Sequence, residues 1–296
     1  MNEQELRAMV ERLVTELAKN DPRQSGGHAP AVPHSDLGQR SPDAPLPDIT
    51  RENLREQYLV KDPENGGAFL DLKRKTSARL GVSRAGARYK TATMLRVRAD
   101  HAAAQDSVFS LVAEDFPAQN GYTAVQTLCT DKDEYLTRPD KGRRFDDENQ
   151  KIIQATIGKN QKIALVVGDG LSSLAIEKNA VDCALAIAAG LKTYGLDPGK
   201  ILFVKYCRVG ASDHIGSLTG CELVCLLVGE RPGLTSAESM SCYLTYAPKI
   251  GIAESKRTVV SNIHKDGTTA VEAGAHIAEL ICKILEQKAS GLDLKV

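Results

Sequence analysis

The first 20 residues carry apolar side chains at helical spacing. These positions follow an i, i+3, i+4, i+7 pattern that places them on one helical face: Leu6, Met9, Val10, Leu13, Val14 and Leu17. Charged residues fill the opposite face, so we predict an amphipathic helix over residues 1–20. Residues 21–49 then hold six prolines with glycine and serine between them, which predicts a flexible linker.

This tethered helix needs another surface on which to bury its apolar stripe, because short isolated helices are only marginally stable in water. One interpretation is that it docks onto another protein. The alternative is that it packs on its own subunit or on another protomer, and the sequence leaves both open.

The next segment, residues 50–145, is charged and mostly helical in pattern. Apolar spacing predicts helices over residues 71–80, 94–99 and 102–115. A loop is predicted over residues 82–88, where Gly86 favours a turn. We interpret the segment as a helical lobe.

From residue 146 to residue 296 the pattern changes to short apolar runs that alternate with helices. The runs predict strands at residues 163–167, 201–204, 223–228, 242–246 and 258–260. Helices are predicted over residues 175–194 and 271–286, with a shorter one that ends near residue 218. Continuous apolar strands separated by helices indicate an α/β domain of Rossmann-like type, with a mostly parallel sheet and helices on both faces.

Small and polar residues follow four of the predicted strands. They are Gly168-Asp169-Gly170, Cys207-Arg208-Val209, Gly229-Glu230-Arg231-Pro232-Gly233 and Ser261-Asn262. Ligands of parallel α/β sheets bind beyond the carboxyl ends of the strands. We therefore expect these four strand ends to form the rim of a site for a bulky ligand.

These strand ends match no common nucleotide or hydrolase motif. A dinucleotide fingerprint beginning at Gly168 would need a third glycine at position 173, which is serine. No phosphate-binding loop of the G-x-x-x-x-G-K-S/T type occurs, and Ser172 and Ser173 lie outside a G-x-S-x-G elbow. A free-standing nucleotide-binding enzyme is disfavoured for this reason.

The composition narrows the function further. The 38 basic and 38 acidic residues cancel, and aromatic residues make up 4% of the chain, which disfavours nucleic acid and anionic membranes as partners. We expect no membrane span and no secretory signal, and hence a cytoplasmic protein. The seven cysteines include no C-x-x-C pair, so we expect buried reduced thiols and no metal site.

The remaining polar residues form no recognisable catalytic set, and no catalytic residue is assigned. His214 lies one residue after Asp213, a spacing unlike the D-x-H-x-x-G loop that supplies a metal-ligating histidine in other proteins. We interpret His214 as a helix-start residue with Asp213 as the cap, and leave His264 undecided. Four charged residues are interpreted as solvated or interface groups: Asp133, Glu134, Arg143 and Arg144.

Four segments resemble the small subunit of ethanolamine ammonia-lyase. They are residues 135–144 (YLTRPDKGRR), 168–172 (GDGLS), 228–243, and 261–264 (SNIH) with the tail at 285–291 (LEQKASG). Within the third segment, Gly-Glu-Arg-Pro-Gly at residues 229–233 is the most specific part, and Ser-Met-Ser-Cys-Tyr closes it at residues 239–243. The resemblance covers most of the chain from about residue 65 onward.

The resemblance implies an enzyme, a cofactor and a partner. It implies the small subunit of an adenosylcobalamin-dependent ammonia-lyase that converts ethanolamine to acetaldehyde and ammonia by a radical mechanism. The cofactor is expected between this chain and a large barrel subunit, which provides most of the contacts with the substrate. The two chains are expected to form a hetero-oligomer of heterodimers, and the small chain is expected to be inactive without the large subunit. A bacterial microcompartment is the implied location, with residues 1–20 contacting its shell or cargo proteins.

The resemblance also assigns three cofactor-binding residues to this chain. Val209 follows Arg208, Glu230 lies in Gly-Glu-Arg-Pro-Gly, and Val259 stands where relatives can have cysteine. A corrin ring needs apolar contacts at its edge and acceptors for its amide groups, which valine and glutamate can provide. The alternative function is a non-catalytic adaptor whose helix and linker recruit cargo to a protein shell.

Overall fold

The computed structural model describes residues 53–159 and 161–295. The helix predicted for residues 1–20 and the linker predicted for residues 21–49 lie outside this part of the chain. The chain divides into two compact units, Met1–Arg84 and Ala85–Val296. The large sheet and the candidate site both belong to the second unit.

The described part of the first unit contains helix α1, Gly66–Arg74. The helix begins and ends earlier than the predicted residues 71–80. Its start is set by the Asn65 side chain, which caps it by accepting a hydrogen bond from the Ala68 amide at 3.1 Å. Lys73 is buried, and its ammonium donates to the Gln57 carbonyl at 2.8 Å. Burial lowers the pKa of Lys73.

A short hairpin and one long helix follow. The hairpin strands β1 (Arg84–Ala85) and β2 (Arg88–Tyr89) replace the predicted loop. Helix α2 (Thr91–Phe109) replaces two predicted helices, since it continues through residues 100 and 101. Arg96 Nε lies 2.7 Å from Asp100 Oδ1, an i, i+4 ion pair that supports the helix where the break was predicted.

Six strands form one sheet in the second unit. They are β3 (Thr123–Gln126), β4 (Ile163–Gly168), β5 (Leu202–Lys205), β6 (Leu223–Gly229), β7 (Met240–Tyr246) and β8 (Arg257–Ile263), in the spatial order β3-β5-β4-β6-β7-β8. The first four in this order are parallel, whereas β7 is antiparallel to both of its neighbours. The predicted mostly parallel sheet is confirmed. It also takes in β3, from the segment that the sequence predicts as a helical lobe.

Helices cover both faces of the sheet, as predicted. In chain order they are α3 (Phe116–Gln119), α4 (Lys132–Thr137), α5 (Asp147–Ile157), α6 (Ser173–Thr193), α7 (Ala211–Thr219) and α8 (Ala270–Gln287). Helices α6 and α8 pack on one face, which we call the first face. Helices α5 and α7 pack on the other, the second face. The central strands β4 and β6 are buried throughout, which accounts for their uninterrupted apolar sequences.

Candidate functional site

The carboxyl ends of four strands meet at one edge of the sheet. Strands β4, β5 and β6 are parallel, and β8 points the same way because two antiparallel pairings separate it from β6. Asp169, Val209, Glu230 and Asn262 therefore lie at or just beyond this one edge. The topology confirms that the predicted rim is a set of strand ends on the same side of the sheet.

The Asp169 carboxylate beyond β4 is buried and holds neighbouring segments together. It accepts hydrogen bonds from Ser173 Oγ at 2.8 Å and from the Val112 amide at 3.3 Å. Burial raises the pKa of Asp169, and the nearby Lys132 ammonium opposes that rise. Lys132 itself donates to the Gly170 carbonyl at 3.1 Å. These groups satisfy one another, so we assign them a structural role.

A cavity of about 310 Å³ lies beside Asp169, lined also by Gln126 on β3 and Lys205 on β5. This volume is at the lower end of the range that holds small ligands. It is too small for the bulky ligand expected at the rim, so the open surfaces of the sheet are the better candidates for binding that ligand.

Arg208 and Tyr135 fix the backbone that carries Val209. The Arg208 guanidinium stacks on the Tyr135 ring, 4.4 Å from the ring centroid, and its Nη2 donates to the Tyr135 carbonyl at 2.6 Å. Tyr135 Oη in turn donates to the Cys207 carbonyl at 3.1 Å. The Val209 carbonyl accepts from Ser212 Oγ at 2.7 Å, and the Val209 side chain packs half-buried against the core of the second face. Val209 is thus presented on a rigid loop.

Glu230 and Val259 are connected through Tyr243. Tyr243 Oη donates to Glu230 Oε1 at 2.6 Å, and the Glu230 amide donates to the Ser239 carbonyl at 3.1 Å. Tyr243 also packs against the core of the second face, and Val259 is its direct partner on β8. Paired residues of antiparallel strands point to the same face. Glu230, Tyr243 and Val259 therefore form one group on the second face.

Among the described residues, the second face is exposed in the middle of β8. The Val259 side chain is 47% exposed, although it belongs to the same sheet as the fully buried strands β4 and β6. Other segments of the chain bind β8 near both of its ends. At the start, the Gly291 amide donates to Thr258 Oγ1 at 2.8 Å and Ser290 Oγ donates to the Lys256 carbonyl. At the end, the Thr268 amide donates to the Asn262 carbonyl at 3.1 Å. An exposed apolar side chain beside a carboxylate suits a large ligand of mixed polarity.

A buried hydroxyl of the same face has no partner. Within residues 53–159 and 161–295, Ser241 Oγ makes no hydrogen bond although Ser241 is 1% exposed. Ser241 precedes Tyr243 by two positions on β7, so both side chains point to the second face. Unpaired buried polar groups are uncommon in folded proteins, which sets Ser241 apart from the other residues of this face.

The two histidines considered in the sequence have structural contacts. His214 Nδ1 accepts from the Phe145 amide at 3.2 Å, and burial lowers the pKa of His214. His264 is buried in the turn after β8, where its Nδ1 accepts from the Asp266 amide at 3.3 Å and its Nε2 lies 2.9 Å from Asn262 Oδ1. Both rings therefore stabilise local backbone.

The prediction that Asp213 caps the following helix is wrong. Gly210 stands at the cap of α7, and the Asp213 carboxylate binds the Arg257 guanidinium through two contacts of 2.7 and 2.9 Å. Arg257 comes from β8, so the side chain that looked local in sequence makes a long-range ion pair.

The remaining charged residues and cysteines do not add a reactive centre. Glu134 binds Lys141 and accepts from the Thr130 amide, and these hydrogen bonds lower its pKa. All seven cysteines are free thiols and six are buried, as predicted. In the part of the chain that the structure describes, no cluster of histidine, cysteine and acidic residues could hold a metal ion. No helix of that part is long and apolar enough to cross a membrane.

Comparison with known proteins decides the family. The family model of the ethanolamine ammonia-lyase light chain matches residues 67–295. The chain belongs to this family. It is 58% identical to the ethanolamine ammonia-lyase small subunit of Clostridioides difficile and 57% identical to that of Clostridium perfringens. Identity to the protein of the same name from Listeria innocua is 53%, and each alignment covers 100% of both chains.

Membership of the ethanolamine ammonia-lyase light-chain family confirms the resemblance seen in the sequence. The name of these relatives places such a chain as the small subunit of a lyase, which implies a large subunit as its partner. The three alignments also extend over residues 1–66, which the family model does not match. The light-chain core therefore begins close to α1.

Sequence reasoning missed two residues of the candidate site, Ser241 and Tyr243. Both lie in residues 239–243, a segment used above only for the resemblance. Alternation along β7 was the available signal, since Cys242 belongs to the core of the first face while Tyr243 packs on the second. The contacts of Tyr243 with Glu230 and Val259 depend on strand pairing, which one sequence does not reveal.

Proposed function

We propose that this chain holds adenosylcobalamin on the second face of its sheet, against a large subunit, in an enzyme that converts ethanolamine to acetaldehyde and ammonia. The observation that carries the proposal is the exposed part of the second face in the middle of β8. There, exposed Val259 lies in one group with the Glu230 carboxylate, and within residues 53–159 and 161–295 the Ser241 hydroxyl on the same face has no hydrogen bond. Membership of the light-chain family supports the reaction.

The residues of this face fit a corrin cofactor. Val209 and Val259 offer apolar contacts for the edge of the ring. Only one oxygen of Glu230 is engaged by the described residues, so Oε2 can accept a hydrogen bond from a cofactor amide. His214 and His264 are both occupied by backbone contacts, in keeping with a cofactor that retains its own base.

The role of this chain is to bind and orient the cofactor and to exclude water from one side of it. When bound, adenosylcobalamin supplies the radical chemistry of the reaction. The large subunit covers the open face and provides most of the contacts with ethanolamine. A radical reaction needs a site closed to solvent, so the small chain alone is inactive.

Co-expression tests this function. The chain is purified with and without the large subunit, and bound cobalamin is measured by its visible absorbance together with ammonia release from ethanolamine. We expect the two chains to copurify, and both cobalamin retention and turnover to require the complex. Turnover by the small chain with cofactor alone would contradict the shared site. A complex that retains no cobalamin would overturn the cofactor assignment.

Residues 1–20 are proposed to dock on a shell or cargo protein of a bacterial microcompartment. The support is the apolar stripe of this segment and the linker that follows it. Confinement in such a compartment would retain acetaldehyde, which is volatile. A purely adaptor function accounts for this segment but not for the open second face, so we favour an enzyme subunit that carries a docking helix.

A further inference from the structure

The Glu230 carboxylate is held by one side chain from a neighbouring strand. Glu230 lies beyond the end of β6, where its amide is already bound to the Ser239 carbonyl at 3.1 Å. Its side chain extends from this pinned backbone to Tyr243 Oη, 2.6 Å from Oε1. The other oxygen, Oε2, has no hydrogen-bond donor within residues 53–159 and 161–295. One contact thus orients the group and leaves half of it available.

Tyr243 is well suited to hold a carboxylate. Burial, together with the hydrogen bond to Glu230, raises the pKa of Tyr243 above its ordinary value, so the phenol stays protonated and donates. Hydrogen bonds from a neutral hydroxyl to an ionised carboxylate are among the stronger ones in proteins. The ring is half-buried in the core of the second face, which limits its rotation.

The position of Tyr243 relates the carboxylate to the apolar part of the surface. Its partner on β8 is Val259, whose side chain points to the same face and is exposed. The Tyr243 ring therefore lies between an apolar contact and a polar one. For a ligand that contacts Val259, the Tyr243 ring determines the distance and the direction of the Glu230 carboxylate.

We infer that Tyr243 is a positioning residue, which holds the Glu230 carboxylate in the orientation that accepts a hydrogen bond from an amide of the cofactor. This inference rests on the function proposed above. A glutamate side chain without this contact would sample several rotamers, and cofactor binding would have to order it. Tyr243 removes that requirement before the cofactor arrives.

The test measures adenosylcobalamin affinity in the assembled enzyme, by absorbance titration of the complex with the large subunit. Six variants of the small chain are compared with the natural one: Tyr243→Phe, Glu230→Ala, Glu230→Gln, the two double variants that combine Tyr243→Phe with each Glu230 substitution, and Tyr246→Phe as a matched control. Tyr246 is also a half-buried tyrosine of β7, and its hydroxyl has no hydrogen bond within the described residues. Thermal unfolding of each variant is recorded alongside.

We expect Tyr243→Phe to raise the Kd for adenosylcobalamin about fivefold to tenfold, which corresponds to the net contribution of one ordinary intramolecular hydrogen bond. Tyr246→Phe should leave the Kd within about twofold of the natural protein. In the Glu230→Ala background, Tyr243→Phe should have no further effect, because nothing remains to be positioned. In a Glu230→Gln background, which keeps the acceptor oxygen, the effect of Tyr243→Phe should persist.

Two results would overturn the inference by itself. In one, Glu230→Ala weakens binding while Tyr243→Phe does not. In the other, the effects of the two substitutions multiply in the double variant, which would show that Tyr243 acts on binding independently of Glu230. If the natural complex binds no adenosylcobalamin, both the proposed function and the inference fail. If the natural complex binds it and one of the two results above is found, only the inference about Tyr243 fails.

Discussion

Close approach of two loops explains one residue of the Gly-Glu-Arg-Pro-Gly segment. The Leu171 amide donates to the Gly229 carbonyl at 3.0 Å, which brings the turn after β4 against the end of β6. A Cβ atom on Gly229 would lie 2.0 Å from the Ser172 carbonyl oxygen. Backbone atoms occupy that space, so no side-chain movement can relieve the overlap. The same contact sets the point from which Glu230 leaves the sheet.

Gly229→Ala should therefore destabilise the chain by about 1–3 kcal/mol, the usual cost of overpacking a closely packed position. The thermal midpoint should fall by about 2–4 °C for each kcal/mol in a unit of this size. Gly233→Ala in the same segment is the matched control, since its nearest neighbour would be the Ser236 carbonyl oxygen at 3.7 Å, an ordinary contact. Equal midpoints for the two variants would contradict the packing argument.

At the scale of elements, a buried ion pair joins strand β8 to helix α7. Arg257 is 6% exposed, and its guanidinium makes two contacts with the Asp213 carboxylate. Arg257 also contacts Glu254, whose side chain is 70% exposed. Since α7 follows Val209 and β8 carries Val259, this pair connects the two elements that present the proposed apolar contacts.

Asp213→Ala should lower the free energy of unfolding by about 3–5 kcal/mol, because it leaves a buried guanidinium without its main partner. Glu254→Ala removes the exposed partner of the same guanidinium and should cost less than about 1 kcal/mol. Urea unfolding of both variants measures the difference. Similar losses for the two would show that the buried pair contributes no more than a surface one.

At the scale of the whole molecule, the segment proposed to dock on a shell and the face proposed to hold the cofactor are separate in sequence. Residues 1–20 precede a linker of 29 residues, and the family model begins at residue 67. The relatives nevertheless match the chain over its full length. We therefore assign the two regions to different tasks.

Deletion of residues 1–20 should leave ethanolamine turnover and cobalamin binding of the assembled enzyme unchanged and abolish its entry into microcompartments. The same segment fused to a fluorescent protein should carry that cargo into shells. Substituting Leu13 and Leu17 with Glu should prevent this, because two charges would interrupt the apolar stripe. Fluorescence microscopy and shell purification provide the measurement. Entry of the truncated enzyme at the natural level would favour packing of the helix on its own complex.

Local sequence patterns were sufficient to predict the strands that are buried on both faces and the helices that are regularly amphipathic. The apolar runs of β4 and β6 and the stripes of α6 and α8 predicted the α/β class and the edge of the sheet at which four strand ends meet. Strand β3 was missed because it has four residues, of which only Val125 is buried, so it shows no apolar run. The antiparallel direction of β7 was not predicted either, since an apolar run has the same pattern whichever way the strand runs in the sheet.

The sequence by itself thus determined the class of fold, the rim residues and the family. Only the tertiary structure decided which of them act together. Asp213 pairs with Arg257 across 44 positions, and Tyr243 holds Glu230 across 13. Such contacts depend on strand order and register, which arise from the packing of the whole sheet. Periodicity within one segment carries no information about the partner that lies opposite it.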